Sequence, residues 1–360
     1  MSGHSLLSAV VRRNLQILWA NFQCKRSALL ALVAFVLLSS TAFAASLAVK
    51  NDCSQQTSPD RSIAACTSII NRRRETTQNR IQAYNVRGNA YYAKKDYDRA
   101  IADLNEAIRL DPKFALAYGN RGNAYYSKDD LDLAITDFIE AIRLSPKNAL
   151  NRGNSYYAKK DYDRAIADYT EAIRIDRLHA NAYYNRGLAH AAQKDYDAAI
   201  VDYTEAIRID PLHANAFYNR GSAYHAKRDY NRAIDDLSEA IRLDPSSGIY
   251  LNARCWDRAL AGGDLQAALA DCDEALRIRP EDRNTLNSRG LVQLKLGAYD
   301  RAISDYSAAI AKNAKDADSL YGRGLAKLKG GDTDGGNSDI AAAKAIEADI
   351  ADVFAGYGVI

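Results

Sequence analysis

The chain has 360 residues, 48% of them hydrophobic, with 48 basic and 45 acidic side chains, the composition of an ordered, soluble protein. Residues 1–44 hold Arg12, Arg13, Lys25 and Arg26 and no acid, which leaves 44 basic against 45 acidic residues beyond them. A body so close to neutral lacks the electrostatic footprint of a nucleic-acid binder, and no nucleic-acid partner is expected.

The N-terminus reads as a targeting segment. Lys25 and Arg26 precede an apolar run, Ala28 to Leu38, which is followed by the small-x-small pattern Ala42-Phe43-Ala44. Cleavage before Ala45 is expected, with export to the periplasm or beyond the cell. The alternative is an uncleaved inner-membrane anchor, because residues 28–49 are apolar or small and just long enough to span a bilayer. In that case this stretch is the chain's membrane contact and the repeats lie on the outer side. Apart from Cys24, four cysteines remain: Cys53, Cys66, Cys255 and Cys272. An even number fits disulfides in an oxidising compartment, and the spacings match no zinc pattern.

Residues 45–80 form an N-terminal half-repeat, in which Ile63 to Ile70 reads as a lone second helix capping the array. Residues 81–348 then repeat with a period of about 34 residues. The eight units are 81–114, 115–148, 149–179, 180–213, 214–247, 248–282, 283–316 and 317–348, and residues 349–360 are a C-terminal cap or tail. Within a unit, positions 4, 8 and 11 form one helical stripe (Tyr84, Gly88, Tyr91) and positions 20, 24 and 27 a second (Ala100, Leu104, Ala107). Glycine and alanine on these stripes let two helices approach closely. Pro112, Pro146, Pro211, Pro245 and Pro280 are expected to end the second helix. A period of this size means an all-α solenoid, each unit burying its apolar face only against its neighbours.

The pattern of aromatic at 4, Gly at 8, Tyr at 11, Ala at 20, aromatic or Leu at 24, Ala at 27 and Pro at 32 resembles the tetratricopeptide repeat, over about three quarters of the chain. The Asn-Arg-Gly motif and the closing Phe354-Ala355-Gly356-Tyr357-Gly358-Val359 are also similar to exported proteins of that family from alphaproteobacteria. The resemblance implies a superhelix with a concave groove lined by positions 5, 9 and 12. Those positions hold Asn89, Tyr92, Asn123, Tyr126, Asn154, Tyr157, Tyr184, Leu188, Tyr218, His225, Asn252 and Trp256, then Leu291 and Leu294. At least half of the groove tyrosines are expected to face solvent. Tyrosine and tryptophan anchor binding hot spots and asparagine can bond a peptide backbone, so the implied partner is a protein or peptide.

One feature departs from the family. Position 7 is arginine in every unit: Arg87, Arg121, Arg152, Arg186, Arg220, Arg254, Arg289 and Arg323. Position 23 is aspartate in every unit: Asp103, Asp137, Asp168, Asp202, Asp236, Asp271, Asp305 and Asp339. A ladder of bidentate structural ion pairs is expected, within or between repeats.

Three units look irregular. Repeat three lacks three residues where its first helix begins, so that helix should be short, with a kink between Leu144 and Gly153. Repeat six has Cys255 at position 8 and Cys272 at position 24, facing positions that suggest a disulfide, and Gly262-Gly263 should loosen its turn; Cys53 and Cys66 form the second expected pair. In repeat eight, Gly335-Gly336 should interrupt the second helix, and Ile340 to Phe354 reads as a continuing or capping helix. His179 and His213, in duplicated Leu-His-Ala-Asn-Ala phrases, read as solvated turn residues, and Asp332-Thr333-Asp334-Gly335 lacks the other ligands of a calcium loop. No phosphate loop, zinc-protease signature or serine elbow is present. The expectation is a non-catalytic scaffold with no cofactor and no metal. The alternative is a membrane-tethered assembly factor or a non-catalytic subunit of an envelope enzyme complex.

Overall fold

The computed structural model describes residues 51–53, 58–145 and 149–359. The targeting segment, and residues 146–148 of the stretch expected to kink, lie outside the described residues. Among those described, residues 51–53 are helical, eighteen further helices follow, and no strand occurs. None of these helices is long and apolar enough to cross a membrane.

The chain divides into two compact units, 1–148 and 149–360. The first holds α1 (Pro59–Ile70), α2 (Thr77–Ala93), α3 (Tyr97–Leu110), α4 (Ala115–Ser127) and α5 (Leu131–Leu144). The second holds α6 (Ala149–Ala158), α7 (Tyr162–Ile175), α8 (Ala180–Ala192), α9 (Tyr196–Ile209), α10 (Ala214–Ala226), α11 (Tyr230–Leu243) and α12 (Gly248–Ala261). It continues through α13 (Leu265–Ile278), α14 (Arg283–Lys295), α15 (Tyr299–Lys312), α16 (Ala317–Lys329), α17 (Thr333–Ile346) and α18 (Ile350–Gly356). Each unit is a stacked run of helix pairs, the all-α solenoid class.

The turns inside the pairs follow one rule. After α2, Lys95 takes the left-handed conformation at φ 61°, its N–H bonds Tyr92 O at 2.8 Å, and the N–H of Asp96 bonds Tyr91 O at 2.9 Å. This is a Schellman closure. The same position holds Asp129, Lys160, Lys194 and Arg228 at φ 61–65°, and Gly297 and Gly331 in later repeats, whereas in repeat six the left-handed residue is Gly262, one place earlier in the turn. The last residue of the turn then caps the second helix: Asp96, Asp161, Asp195, Asp229, Asp264 and Asp332 each accept a backbone N–H three residues on. The Asp332 segment is therefore a helix cap. The additional residue of repeat six is absorbed in α12, and its turn is no longer than the others.

The second helices end in the same register whether proline follows, as at Pro211, or Arg177 stands there instead. Proline is compatible with the stop and does not cause it. α6 has 10 residues against 13 in α4, α8 and α10, as the three-residue loss requires.

Close approach at position 8 holds each pair together. A Cβ built on Gly187 would lie 2.7 Å from the Tyr203 ring, and Tyr203 is fully buried. Only glycine admits a ring there. In repeat six the bonded sulfurs of Cys255 and Cys272 occupy that place. Cys53 and Cys66 are bonded as well, in a small core with Ile69 and Ala83.

Two expectations about the C-terminus are corrected. Gly335 and Gly336 do not interrupt α17; they sit in its first turns, and a Cβ on Gly336 would come within 2.8 Å of Gly324 O. Ile340 to Phe354 is not one helix either. α17 stops at Ile346, and α18 folds back to bury Ile350 and Phe354 in a core shared with Leu291, Leu294 and Tyr321.

Candidate functional site

The arginine at position 7 anchors every first helix. Arg87 Nε and Nη2 donate to Asp103 Oδ2 and Oδ1, both at 2.7 Å, and Arg121 makes the same fork to Asp137 at 2.8 and 2.7 Å. The fork recurs for Arg152–Asp168, Arg186–Asp202, Arg220–Asp236, Arg254–Asp271, Arg289–Asp305 and Arg323–Asp339, always inside one repeat. The third nitrogen, Nη1, reaches the second helix of the preceding repeat. It donates from Arg121 to Asn105 (2.5 Å), from Arg186 to Thr170 (3.0 Å), from Arg220 to Thr204 (3.0 Å) and from Arg289 to Asp273 (2.8 Å). For Arg87 the acceptor is Thr67 on α1, which takes the place of a preceding second helix. Seven of these guanidinia thus tie three helices with donors in a fixed plane, a geometry lysine cannot supply. The bond to Asp103 raises the pKa of Arg87. These arginines are bonded within the scaffold.

In the first unit the groove positions are open. Tyr92 and Tyr126 are 37% and 39% exposed, and Asn89 and Asn123 are half-buried. The Tyr92 hydroxyl shares a hydrogen bond with Ser127 Oγ at 3.0 Å, and its ring lies 5.6 Å from Tyr97. Neither Asn89 nor Asn123 bonds another side chain among the described residues. The neighbouring row is closed instead, with Asn120 Nδ2 donating to Asn85 Oδ1 at 2.8 Å.

In the second unit the groove residues are more committed. Asn154 Oδ1 accepts from the Tyr169 hydroxyl and from Asn185 Nδ2, both at 2.9 Å. Tyr184 accepts from Asn219 at 2.8 Å and stacks on His213 at 4.6 Å, so it is half-buried. His213 is therefore not a solvated turn residue: its Nδ1 accepts the N–H of Ala216 and caps α10. Tyr157, Leu188 and Tyr218 are half-buried, and Tyr218 packs 5.1 Å from Tyr250. Of the five groove tyrosines only Tyr92 and Tyr126 are exposed, fewer than expected; the others are partly covered by aromatic or polar neighbours.

Further along, the structure covers the groove itself. Leu291 is 1% and Leu294 4% exposed, because α18 and the residues after it lie over the first helices of the last repeats. Phe354 packs 4.9 Å from Tyr321, and Tyr357 meets Trp256 edge-on at 5.1 Å. Leu291 and Leu294 are core residues. What stays open is a cavity of about 410 Å³ lined by His225, Asn252, Trp256, Asp257, Arg283, Asn284, Asn287, Asp316, Asp318 and Tyr357 among others. His225 Nδ1 bonds the buried Asp257 carboxylate. Burial, with Asp316 and Glu347 nearby, pushes Asp318 up to about 6, and burial pushes Tyr357 up to about 12. No group of three or more possible metal ligands occurs among the described residues.

Among solved structures, the fold is similar to the C-terminal part of a TPR repeat-containing protein from Cytophaga hutchinsonii, with a TM-score of 0.55 and 18% identity over 65% of this chain and 97% of that one. It is similar also to a tetratricopeptide repeat protein from Parabacteroides merdae (TM-score 0.50, 19% identity, 68% and 98% covered) and to pilF of Pseudomonas aeruginosa (0.52, 18%, 58% and 96%). At such identities the likeness concerns the fold alone. No curated protein matches the chain. Family models described as TPR repeat match residues 88–129, and models described as tetratricopeptide repeat match 115–148, 150–211, 214–247 and 287–348. With those matches running through both units, the chain belongs to the tetratricopeptide repeat family.

Proposed function

We propose that this protein is a non-catalytic interaction scaffold that binds an extended peptide segment of a protein partner along the groove of its first repeats. The observation that carries the reading is the pairing of exposed Tyr92 and Tyr126 with Asn89 and Asn123, whose amides are left unbonded on adjacent repeats. An amide offers both donor and acceptor to a peptide backbone, and tyrosine adds contact area at low entropic cost. Packed helices stand about 8–10 Å apart and an extended chain rises about 3.3 Å per residue, so one asparagine meets roughly every third peptide residue.

The same reading places the protein outside the cytoplasm. Its supports are the apolar run ending in Ala42-Phe43-Ala44 and the two bonded cysteine pairs. The reading assigns no chemistry to the chain, since the recurrent aspartates are engaged by arginine.

The test is selection of unstructured peptides from a displayed library by wild type and by an Asn89→Ala, Asn123→Ala variant that retains its helical circular dichroism. A sequence family enriched by wild type and lost with the variant supports the reading. Equal enrichment by both places the binding surface elsewhere, and turnover of a peptide by wild type would overturn the non-catalytic role.

A further inference from the structure

The tail of the second unit divides the groove there into two chemically different parts. Its apolar part is filled: Ile350 and Phe354 are buried against Leu291, Leu294 and Tyr321. Its polar part stays open as the cavity of about 410 Å³ beside Trp256, with Tyr357 from the tail as one wall. An apolar ligand finds its surface already occupied by the chain itself, while a polar one finds a lined recess.

The charges in that recess are unevenly committed. Arg283 Nη1 donates to Asp316 at 3.3 Å and its Nη2 to Asn284 Oδ1 at 3.1 Å, so this guanidinium is engaged. Asp257 is engaged by His225. Asp318, half-buried in the first turn of α16, forms no ion pair or hydrogen bond through its side chain among the described residues. Asn252 adds a buried side-chain oxygen with no partner. The helix N-terminus favours an acid at position 318, but an exposed aspartate would serve that end without loss of hydration. The uncommitted groups are therefore acceptors, in the same recess as the Trp256 and Tyr357 rings. Aromatic faces and a carboxylate together suit an organic cation. An anion would meet Asp318, and the nearby Arg283 is already bonded to Asp316 and Asn284.

We propose that this cavity receives a lysine or arginine side chain of the protein partner, held beside the edge-on pair Trp256 and Tyr357 and bonded to Asp318. The inference rests on the scaffold reading and adds a basic residue to what the partner must carry. It concerns the second unit, whereas the asparagine test above concerns the first, so either can fail alone.

The experiment uses the full chain with Trp19→Phe, which leaves Trp256 as the sole tryptophan and its emission as the readout. Three probes are titrated: acetyl-Gly-Lys-Gly-amide, the same peptide with norleucine, and the same peptide with glutamate. The expected result is a saturable change with the lysine probe, binding at least about tenfold tighter than norleucine, and no saturation with glutamate. Asp318→Asn should weaken the lysine probe about tenfold and leave the norleucine response unchanged. Asp318→Glu, which keeps the charge, should retain part of the binding. Equal responses to all three probes, or a lysine affinity unchanged by Asp318→Asn in a protein with wild-type circular dichroism, would overturn the proposal.

Discussion

A single guanidinium shows how much of this molecule is decided by side-chain geometry. Arg220 bonds Asp236 through two parallel contacts of 2.8 and 2.7 Å and Thr204 through a third of 3.0 Å. Removing it leaves a buried carboxylate unpaired, so Arg220→Ala should cost about 3 kcal/mol. With Asp236→Ala it should show a coupling of about 2 kcal/mol in a double-mutant cycle measured by urea denaturation. Additive losses would mean that the fork contributes nothing as a pair. The pairing partners were legible in the sequence because positions 7 and 23 recur together. The third contact has a fainter signal in the sequence: position 25 carries a side-chain oxygen in Asn105, Thr170, Thr204, Ser238, Asp273 and Ser307.

Two other residues carry strain of different kinds. Lys194 holds φ 64°, a conformation that crowds its Cβ. Lys194→Gly should therefore raise stability by about 0.5 kcal/mol, the relief of that crowding less the larger entropy of the unfolded chain, as thermal melting would show. Asp318 holds its proton up to about pH 6 in the folded chain, above the ordinary carboxylate value of about 3.8. Between about pH 4 and 6 the native state therefore binds more protons than the unfolded one, and stability falls as pH rises through that window. Asp318→Asn should flatten this part of the pH–stability curve and stabilise the protein at pH 7 by about 1 kcal/mol, a value already reduced for solvent screening. Unfolding midpoints of both proteins across pH 4–7 would check it.

At the scale of elements, the repeats explain themselves and the tail does not. Helix lengths, three-residue turns and aspartate caps recur because each depends on residues within one unit. α6 is shorter because its chain is shorter. α18 belongs to no repeat, so periodicity says nothing of where it packs and by itself leaves Leu291 and Leu294 in an open groove. Phe354 is 2% exposed and fills part of that groove, so Phe354→Ala should cost about 3 kcal/mol in thermal or urea unfolding. Leu212→Ala, at a side chain 74% exposed, should stay within about 0.5 kcal/mol. Similar losses in the two variants would mean that α18 is not packed as described.

At the scale of the whole molecule, the cysteines distinguish two folding environments. Cys255–Cys272 spans a sequence separation of 17 residues and Cys53–Cys66 one of 13. Each loop contributes roughly 3 kcal/mol in the chain-entropy model. The melting temperature should drop when the protein is reduced, and Cys255→Ser, Cys272→Ser should reproduce part of the drop without reductant. An unchanged melt after complete reduction would remove the argument for an oxidising compartment.

The sequence by itself determined the helix pairs, their turns and caps, the facing arginines and aspartates and the cysteine partners, because these interactions join residues within one repeat or between neighbours and so recur with the period. The tertiary structure alone decided which groove positions stay open. That depends on side chains such as Trp256 and Tyr357, about a hundred residues apart in the chain, which meet because a non-periodic tail buries its apolar face against Leu291 and Leu294.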